Sequence, residues 1–115
     1  VTPGSQSEKV SVREVAEMTV KCLKENIPSD LAGVAFLSGG QTELEATAHL
    51  NEMNKISEFP WKLSFSYGRA LQQSALKEWS GQNENVFIAQ DELSHRAEMN
   101  KLASLGQWDI KLEDR

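Results

Sequence analysis

The sequence predicts an α/β fold of the parallel kind, in the order helix, strand, helix, strand, helix, helix. Three observations predict it. Two short runs with strand character, 33–37 and 61–66, each lead into small turn-forming residues and then a helical pattern. A helix-length stretch separates the two runs, which is the βαβ arrangement and makes the strands parallel neighbours. The strand count is also low: a sheet normally needs three or more strands, and two flanked by helices leave both edges open. With 115 residues against the roughly 250 of an eight-stranded barrel, the chain reads as a slice of a larger α/β protein. Isolated, such a slice is expected to be loosely folded or aggregation-prone.

Each element has a local cause. Residues 1–9 (VTPGSQSEK) are rich in turn formers and read as a loop. Ser11 with Glu14 forms a capping-box pattern, and Val12, Val15, Ala16, Thr19, Cys22 and Leu23 share a stripe, so 11–26 is expected to be an amphipathic helix ended by Pro28. Gly33-Val34-Ala35-Phe36-Leu37 is apolar throughout, which suits a strand buried on both faces. Thr42 and Glu45 form a second capping box for a helix over 42–55, with Leu44, Thr47, Ala48 and Leu50 inward. Trp61-Lys62-Leu63-Ser64-Phe65-Ser66 alternates apolar and polar, as a second strand does. A helix from Ala70 turns Leu71, Ala75, Leu76 and Trp79 inward and stops at Gly81. The last helix, 84–105, ends before Gly106, the usual place for a glycine past a helix end.

Bulk properties remove several function classes. A net charge of -5 leaves no basic stripe for a nucleic-acid backbone. No apolar run reaches the roughly 18–20 residues that span a bilayer, so no membrane partner is expected. The single cysteine, Cys22, cannot form an internal disulfide, sits on the apolar stripe and reads as a buried small hydrophobe. His49 and His95 lack partners at metal-ligand spacing, so no zinc site is expected, and no other cofactor is expected. Trp61, Trp79 and Trp108 read as packing residues, and the charged run 91–101 as a solvated helix face.

The chemistry lies at the C-terminal ends of the two strands, the face where parallel α/β sheets and barrels bind ligands. Ser38-Gly39-Gly40 can turn tightly and lets a ligand approach the backbone N–H groups, with the Ser38 hydroxyl as a further donor. The helix that follows adds a positive dipole end. Ser66, Gly68 and Arg69 repeat this logic at the next strand, where Ser66 shares the face of Ser64 and Arg69 can grip a phosphate bidentately. Two such loops side by side suit one phosphate site. Each loop alone also fits a plain tight connection, and Arg69 alone also fits a surface pair with one of the 17 acidic residues.

At these loops the sequence resembles a known family. Phe36-Leu37-Ser38-Gly39-Gly40-Gln41 and Leu63-Ser64-Phe65-Ser66-Tyr67-Gly68-Arg69-Ala70-Leu71 resemble the seventh- and eighth-strand motifs of class I fructose-bisphosphate aldolases. Val1-Thr2-Pro3-Gly4 is similar to the segment just after that family's lysine-bearing strand, and 49–54 (HLNEMN) to its seventh helix. Trp61 resembles the residue opening the eighth strand, Ser74-Ala75-Leu76 with Trp79 its eighth helix, and Arg96-Ala97 its C-terminal helix. The likeness covers nearly all of 1–106, leaving 107–115 as the start of a C-terminal tail.

The resemblance implies the C-terminal part of a TIM barrel in a cytosolic homotetramer. Its implied reaction is the reversible, metal-free cleavage of fructose 1,6-bisphosphate to dihydroxyacetone phosphate and glyceraldehyde 3-phosphate through a lysine Schiff base. It implies that Ser38, Gly39, Gly40, Ser66, Gly68 and Arg69 hold one substrate phosphate, and that the rest of the aldolase chain and cytoskeletal proteins are partners. The imine-forming lysine of the family precedes the segment matching Val1. None of Lys9, Lys21, Lys24, Lys55, Lys62, Lys77, Lys101 or Lys111 takes its place, and the family's terminal tyrosine has no counterpart. No catalytic residue is therefore expected here, and the chain alone is expected to be inactive. A non-catalytic binding or scaffold module derived from an aldolase barrel, and a different phosphate-binding barrel, are the alternative expectations.

Overall fold

The structure is a computed structural model that describes residues 3–56 and 58–115. Its elements are α1 (Val12–Asn26), β1 (Gly33–Phe36), α2 (Glu43–Ile56), β2 (Lys62–Phe65), α3 (Arg69–Trp79) and α4 (Val86–Ser104), with short 3-10 turns at Asn83–Asn85 and Ile110–Glu113. The expected order is observed, and the two strands pair in parallel with Val34 opposite Leu63 and Phe36 opposite Phe65. Among the described residues no helix is long and apolar enough to cross a membrane.

Local signals set most boundaries. The Ser11 hydroxyl accepts from the Glu14 N–H at 3.1 Å, which caps α1. Both arms of the second capping box form: Glu45 N–H to Thr42 Oγ1 at 3.1 Å and Thr42 N–H to Glu45 Oε2 at 3.0 Å. The latter bond holds the Glu45 carboxyl below its usual range. α3 stops where Ser80 and Gly81 turn left-handed. α4 ends in a Schellman motif, with Gly106 N–H on the Ala103 carbonyl and Gln107 N–H on the Leu102 carbonyl. Gly106 takes φ 68 there, and a Cβ on it would meet the Asn54 carbonyl oxygen at 3.1 Å.

The core lies on one side of the sheet. Ala16 and Val20 of α1, Leu50 and Met53 of α2, Leu63 of β2, Ala103 of α4 and Trp61 make the main cluster, against which Val34, Phe36 and Phe65 pack. Trp61 is buried and satisfies its indole by donating to the Pro28 carbonyl at 2.9 Å. Asn54 joins three elements: its side-chain nitrogen lies 3.0 Å from the Leu50 carbonyl, 3.2 Å from that of Ala103 and 3.4 Å from that of Leu63.

Several expectations are corrected. β1 is not buried on both faces: Val34 and Phe36 are half-buried, whereas Gly33 and Ala35 are exposed, as are Lys62 and Ser64 beside them. Helices cover only one face of these strands. Leu44 is exposed, outside the buried side of α2 made by Ala46, Thr47, His49, Leu50 and Met53; Leu76 and Trp79 are exposed too, because α3 packs chiefly on α4 and buries only Ala70 fully. Cys22 is exposed; the buried stripe of α1 is Val15, Ala16, Thr19 and Val20, and Cys22 lies beyond its edge. The run 91–101 is not simply a solvated face, since Arg96, Met99 and Asn100 are buried.

The molecule remains open. Its accessible surface is 7668 Å², against roughly 6300 Å² for a compact protein of this mass. Its radius of gyration is 15.3 Å, against about 13 Å for a compact chain of this length. The surplus fits a sheet with an uncovered face and unpaired edges.

Candidate functional site

Parallel pairing in register makes β1 and β2 end side by side. The ladder continues one step, with the Ser66 N–H on the Phe36 carbonyl at 2.8 Å, so the loops 37–42 and 66–68 are neighbours. This brings the segments holding Ser38, Gly39 and Gly40 next to those holding Ser66, Gly68 and Arg69. Ser38 is half-buried and the other five residues are exposed.

The first loop is a tight turn. The Gln41 N–H donates to the Ser38 carbonyl at 2.9 Å, and Gly39 (φ 44) and Gly40 (φ 82) occupy the two central positions. Positive φ at both is the signature of a mirror-image turn that glycine adopts without a Cβ penalty. Among the described residues the N–H groups of Gly39, Gly40 and Gly68 donate to no protein acceptor. Gly68 also starts α3 without a side-chain cap, so the positive end of that helix is uncovered. Arg69 forms no ion pair among the described residues. The arrangement offers exposed N–H donors, two hydroxyls, two helix starts and one cation; it can recognise an anion.

The glycine turn opens on a cleft of about 500 Å³ also lined by Pro3, Lys9, Thr42, Glu45 and His49. Val1 and Thr2, which carry half of the Val1-Thr2-Pro3-Gly4 motif, lie outside the described residues. Lys9 borders the cleft, but its side chain is 94% exposed and only loosely paired with Glu45 at 3.7 Å. It has none of the desolvation that turns a lysine into a nucleophile. Among the described residues no three or more His, Cys, Asp or Glu side chains are gathered as a metal site would require.

Two supports were not legible in the sequence. Behind the glycine turn, the Gln41 side-chain amide donates to the Ser38 carbonyl at 2.6 Å and faces His49 Nδ1 at 2.6 Å. Burial pushes the His49 pKa down, partly offset by Glu45, so the ring is neutral near pH 7. Beneath the two helix starts, Glu43 accepts from the Ser74 N–H and hydroxyl, both at 2.7 Å, which ties the first residue of α2 to α3. Arg96 lies 3.7 Å from the same carboxylate, reaches Thr47 Oγ1 at 3.3 Å and grips Glu113 with two bonds of 2.9 Å. Glu113 also accepts from the Trp108 indole at 2.9 Å and lies 3.1 Å from His95 Nε2. Burial works to raise the Glu113 pKa, but hydrogen bonds from Arg96, His95 and Trp108 outweigh it and hold the carboxyl below its usual range. The Thr42–Glu45 spacing signals the helix start in the sequence, but nothing local pairs Glu43 with Ser74 or Arg96 with Glu113.

The family model described as fructose-bisphosphate aldolase class-I matches residues 1–115. The chain belongs to that family. A probable class 1 fructose-bisphosphate aldolase of Xylella fastidiosa strain 9a5c is 54% identical over 110 residues, covering 94% of this chain and 33% of that protein. The cytoplasmic fructose-bisphosphate aldolase isozyme of Spinacia oleracea is 55% identical over 109 residues, covering 94% of this chain and 30% of its own length. The fructose-bisphosphate aldolase of Plasmodium falciparum, solved in complex with TRAP and a small-molecule inhibitor, superposes with a TM-score of 0.91 at 46% identity. That match covers 95% of this chain and 32% of the Plasmodium one. This aldolase chain thus spans about a third of the length of the curated relatives it matches.

Proposed function

We propose that this chain supplies the phosphate-binding wall of a class I fructose-bisphosphate aldolase. Ser38, Gly39, Gly40, Ser66, Gly68 and Arg69 hold one phosphate of fructose 1,6-bisphosphate. The observation that carries this reading is the register of β1 and β2, which sets two donor-rich loops side by side where each strand leads into a helix. Such a wall raises effective molarity by fixing the substrate against the reacting group. That group, a lysine forming an imine with the substrate, comes from outside these residues; Lys62 lies at the opposite end of β2.

Residues 1–106 then form the last two strand–helix units of a (β/α)8 barrel with its C-terminal helix, and 107–115 begin the tail. The exposed face of Gly33, Ala35, Lys62 and Ser64 turns to the barrel interior, and the remaining strands pair with the open edges. By the same analogy the whole subunit assembles as a cytoplasmic homotetramer, in keeping with the cytoplasmic isozymes among its relatives. Its partners are the rest of the aldolase chain, a sugar phosphate and cytoskeletal proteins.

The test is a chimera joining residues 1–115 to the complementary two thirds of the spinach isozyme. Cleavage of fructose 1,6-bisphosphate is expected, with Arg69→Ala weakening substrate binding about 10- to 100-fold, the worth of a charge-assisted contact. A folded chimera that forms the imine with substrate yet is indifferent to Arg69→Ala would overturn the assignment. Phosphate binding without turnover would instead favour a binding module derived from the barrel.

A further inference from the structure

We propose that Gln41 and His49 are positioning residues that lock the glycine turn in its anion-accepting shape. The proposal rests on the phosphate-wall reading and adds what makes that wall rigid. Two consecutive glycines are the most costly residues to order, so a turn built on them binds an anion well only if something else fixes it.

Gln41 provides the first clamp. Its backbone N–H and its side-chain amide both donate to the Ser38 carbonyl, at 2.9 Å and 2.6 Å. That oxygen is thereby fully engaged and held away from an incoming anion, while the Gly39 and Gly40 N–H groups have no protein acceptor among the described residues. His49 provides the second. Because the Ser38 carbonyl can only accept, Gln41 must turn its Nε2 toward it and its Oε1 toward the imidazole. The ring atom facing that oxygen at 2.6 Å is Nδ1, so Nδ1 carries the proton. His49 sits two helical turns along α2 and is buried, and side chains on a helix lean toward its N-terminus, which brings the ring back under the turn. The order of constraint is therefore His49 to Gln41 to Ser38 to the two glycines. A solvent-facing imidazole normally prefers its proton on Nε2, so this tautomer is a specific signature of the relay.

The test uses the whole chain, with inorganic phosphate as the probe. Nitrogen-15 shifts of the ring are expected to show the Nδ1–H tautomer for His49 in the wild type and its loss in Gln41→Met. Phosphate binding, followed through the Gly39 and Gly40 amide signals, is expected to weaken about tenfold in Gln41→Met and in His49→Leu, the scale of one backbone residue left unordered. His49→Asn, whose amide nitrogen can replace Nδ1 as a donor, is expected to restore wild-type binding. An Nε2–H tautomer in the wild type, which needs no variant to observe, overturns the proposal alone. So does phosphate affinity unchanged by Gln41→Met. Failure of the wild-type chain to bind phosphate overturns the phosphate-wall reading and this proposal with it.

Discussion

Replacing Glu113 by glutamine keeps the shape of the side chain and removes its charge, and the structure indicates what that costs. Glu113 accepts two bonds of 2.9 Å from Arg96 and one of 2.9 Å from the Trp108 indole, with His95 at 3.1 Å. Hydrogen bonds to charged groups contribute about 1.5–3 kcal/mol each, but these share one cation and do not add. Removing one partner of a buried pair costs about 3–5 kcal/mol. The Arg96 and Glu113 side chains keep 7% and 14% exposure, so residual solvation places the loss at the lower end, about 3 kcal/mol. The turn at Ile110–Glu113 is held to α4 chiefly through this group, so the effect is a local opening constant raised by about a hundredfold. The assay is hydrogen exchange at Trp108, whose backbone N–H donates to Asn51 Oδ1 at 2.9 Å and whose indole donates to Glu113. Faster exchange confined to residues 107–114 is expected. Because the carboxyl is held below its usual range, its contribution is complete above about pH 4.3 and fades as pH falls through the lower native value. The variant should lack that acid step. Acceleration of less than tenfold, or equal acceleration throughout α1, would refute the reasoning.

Outcomes at three further residues follow from the geometry. Gly106→Ala forces an L-residue into the left-handed region at φ 68 with its Cβ 3.1 Å from the Asn54 carbonyl, which costs at least about 1–2 kcal/mol; a urea midpoint equal to the wild type's contradicts this. Tyr67 is the only tyrosine, and burial pushes its phenol well above the ordinary range. An ultraviolet titration should show no ionisation near pH ~10 while the fold persists, and Tyr67→Phe, which removes the bond to the Ala46 carbonyl at 2.8 Å, should cost about 1 kcal/mol in urea unfolding. Burial lowers the His49 pKa, so the unfolded chain takes up its proton first and stability falls as pH drops below about 6.5. His49→Asn should remove that slope from a series of unfolding measurements, and an unchanged slope would locate it elsewhere.

The parts of the fold set by neighbours in sequence were legible, and those set by distant ones were not. Ser11 with Glu14, Thr42 with Glu45, and the glycines at 81 and 106 mark helix ends because capping acts within one turn. The two loops of the candidate site were legible for the same reason: a turn such as Ser38–Gln41 needs its glycines whatever surrounds it. Apolar periodicity reported what each helix could bury, but not what was there to cover it. Leu76 and Trp79 match the inward pattern yet remain exposed because α3 meets little beyond α4. Polar residues misled in the opposite direction. Arg96 looks like a surface charge in its own helix, and only partners distant in sequence, Glu113 with Thr47 and Glu43, explain its burial. His49 likewise offered no metal-ligand spacing, because its partner is an amide held by a carbonyl.

Asn54 gives the molecule a mechanical character. A single side-chain nitrogen with two protons is shared among carbonyls of α2, β2 and α4, so these elements meet at one joint rather than along separate seams. Load applied at Arg115 would first meet its own pairs with Asp91 and Glu92 of α4 and then the buried contacts of Glu113. Beyond them the pull would reach Ala103, where α4 cannot be peeled away without straining the joint that also holds β2 and α2, the helix after the glycine turn. The tail and the helix behind the glycine turn are therefore coupled in series through α4 rather than free of one another.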